Sequence, residues 1–229
     1  MVKSLAAAAG LILSFMLPAA FSSEAAMNQY PLHAAARQND ARHIEQLLSS
    51  GVDVDARDHS GSTALLVAAR ANSIDAAKAL IQAGADVNAK DHIQDSAYLY
   101  SGARGHLDIL KMTLSHGADL KSTNRYGGTA LIPAAERGHV EAVRMLVEAG
   151  VDVDHVNNLG WTALLEAIIL GDGGERHRRI VDILLKAGAN PDLADDGGVT
   201  PLEHARQRGF GEIERLLVAA HVGSGVKKD

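Results

Sequence analysis

Apolar residues along this chain fall in short blocks at helical spacing, and the blocks recur. Ile74, Ala77 and Ile81, then Leu107, Leu110 and Leu114, then Val140, Val143 and Val147 stand at i, i+3 and i+7, each a single stripe on a short helix. Ahead of each stripe lies a second block opening on a tetrapeptide such as Thr63-Ala64-Leu65-Leu66 or Thr129-Ala130-Leu131-Ile132. The third residues of these openings fall at 32, 65, 98, 131, 164 and 202, in steps of 33, 33, 33, 33 and 38. A glycine at 51, 84, 117, 150 and 188 keeps the same phase. Two markers in phase along the chain define a repeat.

The residues of one repeat predict its shape. The opening hydroxyl can cap a helix N-terminus by accepting a hydrogen bond from an orphan backbone N–H. The first helix is short and alanine-rich (Ala68-Ala69, Ala134-Ala135), which lets a neighbouring repeat approach closely. A tight Gly105-His106 or Gly138-His139 turn leads to the second helix, and the marker glycine ends it in a left-handed conformation. Each unit leaves apolar surface on both sides that only stacking buries. The predicted units are 29–61, 62–94, 95–127, 128–160, 161–197 and 198–220, with 221–229 as a tail without structure.

Composition narrows the class. Hydrophobic residues are 47% and charged residues 22% of the 229, values of a folded chain. Aromatics are only 3%, against 22 glycines, which argues for small-residue helix packing and against a β-sandwich. The formal charge of −6, without a sustained basic run, argues against nucleic acid as the main ligand. No cysteine is present, so thiol catalysis, disulfides and thiolate metal sites are excluded. At the N-terminus, Lys3 precedes an apolar run from Leu5 to Leu17, then Pro18 and the small residues Ala19 and Ala20. This is the form of a secretory signal peptide over 1–22, with cleavage expected between 22 and 25 and a mature chain without stable membrane insertion. The style of the segment is bacterial, which predicts a periplasmic or secreted protein.

The period of 33, the Thr-Pro-Leu-His-like openings, the Gly-His turns and the Gly84-Ala85-Asp86-Val87-Asn88-Ala89 stretch resemble ankyrin repeats over about 29–220. The resemblance implies an all-α solenoid of about six helix-loop-helix units with projecting β-hairpin fingers. It also implies binding, usually of a protein by a monomer, on the concave face formed by fingers and first helices. The sequence departs from the family pattern at the fourth motif position, where only His33 keeps the histidine. Leu66, Leu99, Ile132, Leu165 and Glu203 replace it, which exchanges hydroxyl–imidazole bonding for apolar packing in most repeats.

Two repeats are irregular. In the third, Gln94 takes the finger glycine's place, Tyr98 a core leucine's, and Gly102 that of Ala69 or Ala135. Gly102 costs up to ~1 kcal/mol of helix propensity, so Gly102→Ala is expected to stabilise if Tyr98 does not need the space. Tyr98 reads as core and Tyr100 as a contact. The fifth repeat gains five residues within Gly171-Asp172-Gly173-Gly174-Glu175, which read as a tolerated loop on the edge away from the fingers. The stretch lacks the lysine and hydroxyl of a P-loop.

Eleven histidines invite a search for metal or acid–base chemistry. His106 and His139 are accounted for by the Gly-His turn. His59 and His92 share a finger position in adjacent repeats, roughly 10 Å apart, too far to share one ion. Asp53, Asp86, Asp119 and Asp152 recur with the repeat as hairpin and cap residues. The expected function is therefore non-enzymatic, with no catalytic, metal or cofactor site. What varies is a surface: Ile93, Tyr126, Leu159 and Trp161 on the fingers, with Arg70, Tyr100, Arg104, Glu136 and Glu166 facing them from the first helices. Ile93, Tyr100, Arg104, Tyr126, Glu136, Leu159 and Trp161 are the candidate contacts, since aromatics and arginines usually carry interface energy. Trp161 stands open between contact and scaffold. The partner of such a surface could be a secreted toxin or effector, an oxidative-defence enzyme or an envelope protein. The alternative is a haem or small-molecule carrier supporting a catalase-type enzyme, with His59 or His92 as axial ligand.

Overall fold

A computed structural model describes residues 30–225, so the signal-peptide reading of 1–22 and the last four residues lie outside the described residues. The described chain forms six helix pairs. They are α1 (Pro31–Arg37) with α2 (Ala41–Ser49), α3 (Ala64–Ala71) with α4 (Ile74–Gln82), and α5 (Ala97–Arg104) with α6 (Leu107–Ser115). Then follow α7 (Leu131–Glu136) with α8 (Val140–Glu148), α9 (Ala163–Ile169) with α10 (Glu175–Lys186), and α11 (Pro201–Gln207) with α12 (Gly211–Gly225). First helices pack on first helices and second on second, so each pair touches only its neighbours along the stack.

Local chemistry sets the helix ends. Thr63, Ser96 and Thr162 accept hydrogen bonds from the backbone N–H three residues on, at 3.3, 3.2 and 3.2 Å. Thr200 forms a reciprocal capping box with Glu203. Thr129 departs from the series. Pro133 lacks the N–H that would bond back to the Thr129 carbonyl, the helix starts late at Leu131, and the buried Thr129 hydroxyl has no partner among the described residues. The marker glycines end the second helices with φ between +83° and +94°, where a side chain would be strained.

Two readings of the sequence are corrected here. The fingers carry no β-strands among the described residues, only an isolated antiparallel bridge between Arg57 and Thr63. Each finger closes instead on an acidic or amide side chain that takes two backbone N–H groups. The last helix runs on to Gly225, past the start of the expected tail at 221.

Buried residues form two clusters that meet in the third repeat. Ala97 and Ile109 join the N-terminal cluster, while Tyr98, Leu99 and Leu110 join the C-terminal one. Tyr98 is fully buried, its hydroxyl has no partner among the described residues, and burial pushes that hydroxyl above the usual tyrosine range. Gln94 adopts φ +65°, the conformation its glycine counterparts hold without penalty.

Gly102 is explained by space. A Cβ there would lie 2.9 Å from the Cβ of Ala130, a rigid atom of the next repeat. The expected gain in helix propensity is therefore outweighed by overpacking. Gly102→Ala should lower stability by about 1–2 kcal/mol, measured by denaturant unfolding, where an unchanged or raised midpoint would contradict the packing account.

Candidate functional site

The fingers are aligned by one recurring residue. Asn124 Oδ1 accepts from the backbone N–H of Tyr126 at 2.8 Å and of Gly128 at 3.1 Å. Asp91 Oδ1 does the same for Ile93 and Asp95, both at 3.0 Å, and Asn157 Oδ1 for Leu159 and Trp161, at 2.9 and 3.1 Å. These turns place Ile93, Tyr126 and Leu159 at one register on three successive tips, where the preceding finger has Ser60 and the following one Gly197. All three apolar side chains are exposed, Tyr126 by 55%. Tips are also joined to one another: Asn158 N donates to Tyr126 O at 3.0 Å and His92 N to Ser60 O at 3.1 Å.

Across from the tips, the first helices complete a groove of about 450 Å³ spanning repeats 3 to 5. Ile93, Tyr100, Arg104, Tyr126, Glu136 and Leu159 all line it. Trp161 does not. It is half-buried and its backbone closes the finger turn, with its N–H donating to Asn157 Oδ1 and its carbonyl accepting from Asn157 N at 3.0 Å. Its backbone thus belongs to the turn of the fourth finger.

Arginines frame the aromatic rings. The Arg104 and Arg70 guanidinium carbons lie 5.6 and 5.8 Å from the Tyr100 ring centre. Arg125 lies 4.7 Å from that of Tyr126 and donates to its hydroxyl at 2.9 Å. Arg70 is fixed by Asp91, whose buried carboxylate stands 2.6 Å away. His59 and His92, the residues weighed as axial ligands, are exposed on the first two fingers, outside the groove.

Glu166, Pro133 and Leu170 also line the groove, and none is among the candidate contacts read from sequence. Glu166 is only 6% exposed. Burial, with the Glu136 carboxylate nearby, pushes its carboxyl up to about 7, against the opposing effect of a 2.8 Å hydrogen bond from Asn157 Nδ2. A carboxyl raised above its unfolded value stabilises the fold fully below the unfolded value near 4.5, and that contribution is lost as pH rises through about 7. Glu166→Gln should therefore raise the melting temperature at pH 8, by a stability gain of about 1–2 kcal/mol, and leave it nearly unchanged at pH 5. An equal effect at both values would contradict a buried, uncompensated carboxylate.

The stacked helix pairs and their projecting fingers define a solenoid of repeats with a groove along one side. The chain belongs to the ankyrin-repeat family: the model for ankyrin repeats (3 copies) matches residues 4–91 and 98–195. The sixth helix pair lies beyond that match. An ankyrin repeat domain from Acinetobacter baumannii AYE is 69% identical, with a TM-score of 0.83 over 84% of this chain and 98% of that one. The ankyrin repeat protein EF0377 is 43% identical, with a TM-score of 0.79 over 82% and 96%. The ankyrin repeat domain of Bcl-3, of the IkappaB protein family, is 27% identical, with a TM-score of 0.74 over 83% and 85%. The ankyrin repeat protein YahD of Escherichia coli (strain K12) is 58% identical over 55 residues, 24% of this chain and 27% of that protein's length. Ankyrin repeats are generally modules for protein–protein interaction, and the family is typically non-enzymatic.

Proposed function

We propose that this chain is an exported, non-enzymatic protein-binding module that holds its partner in the concave groove of repeats 3 to 5. The observation that carries the reading is the groove itself. Among the described residues it is the stretch where three successive fingers present large apolar tips, opposite helices that offer Tyr100, Arg104, Glu136 and Glu166. Neighbouring fingers present Ser60 and Gly197 at that register, so the apolar character is confined to the groove. An exposed Tyr126 and a half-buried Tyr100, each beside an arginine and within a rim of charge, are what a protein interface uses for affinity and register.

Export to the periplasm or beyond rests on the N-terminal pattern of Lys3, the apolar run and the small residues Ala19, Ala20 and Ser22. N-terminal sequencing of the protein from its native host tests it. A mature end between Ser23 and Ala26 supports export, and an intact Met1 on cytoplasmic protein overturns it. Chemical cross-linking in the native envelope, followed by mass spectrometry, tests the binding reading. Cross-linked peptides should come from 93–104 and 124–137, and adducts confined to the second helices would overturn the groove assignment.

A further inference from the structure

We infer that Glu166 forms the subsite for an arginine side chain on the partner segment that occupies the groove, an inference that rests on the groove being the partner surface. Asn157 fixes the geometry. Its Oδ1 is taken by the backbone N–H groups of Leu159 and Trp161, so its Nδ2 must face Glu166 and donates to Oε1 at 2.8 Å. The second oxygen, Oε2, has no hydrogen bond among the described residues and remains open to the groove. Nor does any cation among them pair with Glu166. The charged groups facing it are Glu136 and Arg137, and Arg137 is engaged by the Ala103 carbonyl at 2.9 Å and by Glu136 at 3.8 Å.

The next repeat shows what a compensated version of this register looks like. Asp195 and His204 are nine residues apart, as Asn157 and Glu166 are, and they meet at 2.8 Å as acid and base. In repeat 5 the same position holds an acid whose one hydrogen bond among the described residues comes from an amide. A buried carboxylate without a cation is costly, and a cation supplied from outside recovers much of that cost. Leu159 and Leu170 line the same groove, exposed by 53% and 50%, and suit the methylene stem of a long basic side chain. Arginine is favoured over lysine because its guanidinium is more weakly hydrated and its planar fork matches a carboxylate.

The test uses the full mature chain and random dodecapeptides displayed on phage, selected at pH 8, with affinities read by fluorescence polarisation. Selected peptides should share one arginine among apolar residues. Replacing that arginine by glutamine should weaken binding at least about tenfold to the natural sequence and less than about threefold to Glu166→Gln. Glu166→Gln keeps the acceptor for Asn157, and its melting curve confirms folding. Tyr126→Ala should weaken the arginine and glutamine peptides alike. Binding of the arginine peptide should strengthen from pH 6 to pH 8, and Glu166→Gln should abolish that dependence. Peptides sensitive to Tyr126→Ala but indifferent to arginine, or equally discriminated by Glu166→Gln, would overturn the subsite and leave the groove standing. Peptides indifferent to Tyr126→Ala, or none at all, would count against the groove and the subsite together.

Discussion

Deleting residues 171–175 is expected to loosen the C-terminal end of the stack and lower stability by roughly 3 kcal/mol or more. The insertion reads in the sequence as a tolerated loop, and the structure shows it packed against its neighbours. His177 is buried; its Nε2 donates to the Glu136 carbonyl of repeat 4 at 2.9 Å, and its Nδ1 lies 2.7 Å from Asp172 Oδ1. Asp172 also accepts from the backbone N–H of Gly174 at 2.9 Å, which shapes the start of α10. Gly173 sits at φ +69° against the ring of Phe210, leaving no room for a side chain. Arg208 stacks over that ring at 4.9 Å and donates to the Gly171 carbonyl at 2.9 Å. The five residues thus touch repeat 6 directly and reach repeat 4 through His177. Denaturant unfolding, with hydrogen exchange followed across α11 and α12, measures the loss. An unchanged midpoint and unchanged protection would show the loop to be dispensable. Because stability falls, this deletion is no neutral control for binding.

Tyr126→Ala is expected to weaken partner binding by about 2 kcal/mol, close to thirtyfold, while barely moving the melting temperature. The finger survives the change because it is held by backbone bonds to Asn124 and Asn158. The Tyr126 ring and hydroxyl meet Arg125, which is itself exposed, so truncation opens no cavity in the core. Arg104→Ala and Glu136→Ala should each cost less and make binding more sensitive to salt, as charges at a rim do. Titration calorimetry against the partner recovered by cross-linking gives both affinity and salt dependence. Normal binding by Tyr126→Ala would remove the finger tip from the interface.

The solenoid is legible in the sequence because a repeat writes its chemistry several times over. A capping hydroxyl at 63, 96, 162 and 200, and a glycine at 51, 84, 117, 150 and 188, fix element ends by local physics alone. The face that carries Ile93, Tyr100, Tyr126 and Leu159 is legible too, since finger and first-helix positions are set by the same register. What escapes the sequence depends on the neighbouring repeat. Gly102 looks like a helix defect until Ala130 is placed against it. Glu166 is recognisable as facing the fingers, but its burial, the Glu136 carboxylate near it and its hydrogen bond from Asn157 appear only once the repeats are stacked. His177 carries the clearest missed signal. Moved back by the five inserted residues, it falls in register with His106 and His139, and His106 likewise bonds back to the preceding repeat through the Ala69 carbonyl at 2.9 Å.

The central claim, that the partner lies in the groove of repeats 3 to 5, is tested most directly by a photo-reactive phenylalanine analogue placed one position at a time in the native host. Tyr126, Leu159 and Ile93 sample the groove; Lys78, Glu148 and Val222 sample the second helices and the end of the stack. Illumination should give one discrete adduct from the three groove positions, with the same partner mass, and none from the other three. Adducts of that mass from Lys78, Glu148 or Val222, with the groove positions silent, would contradict the account.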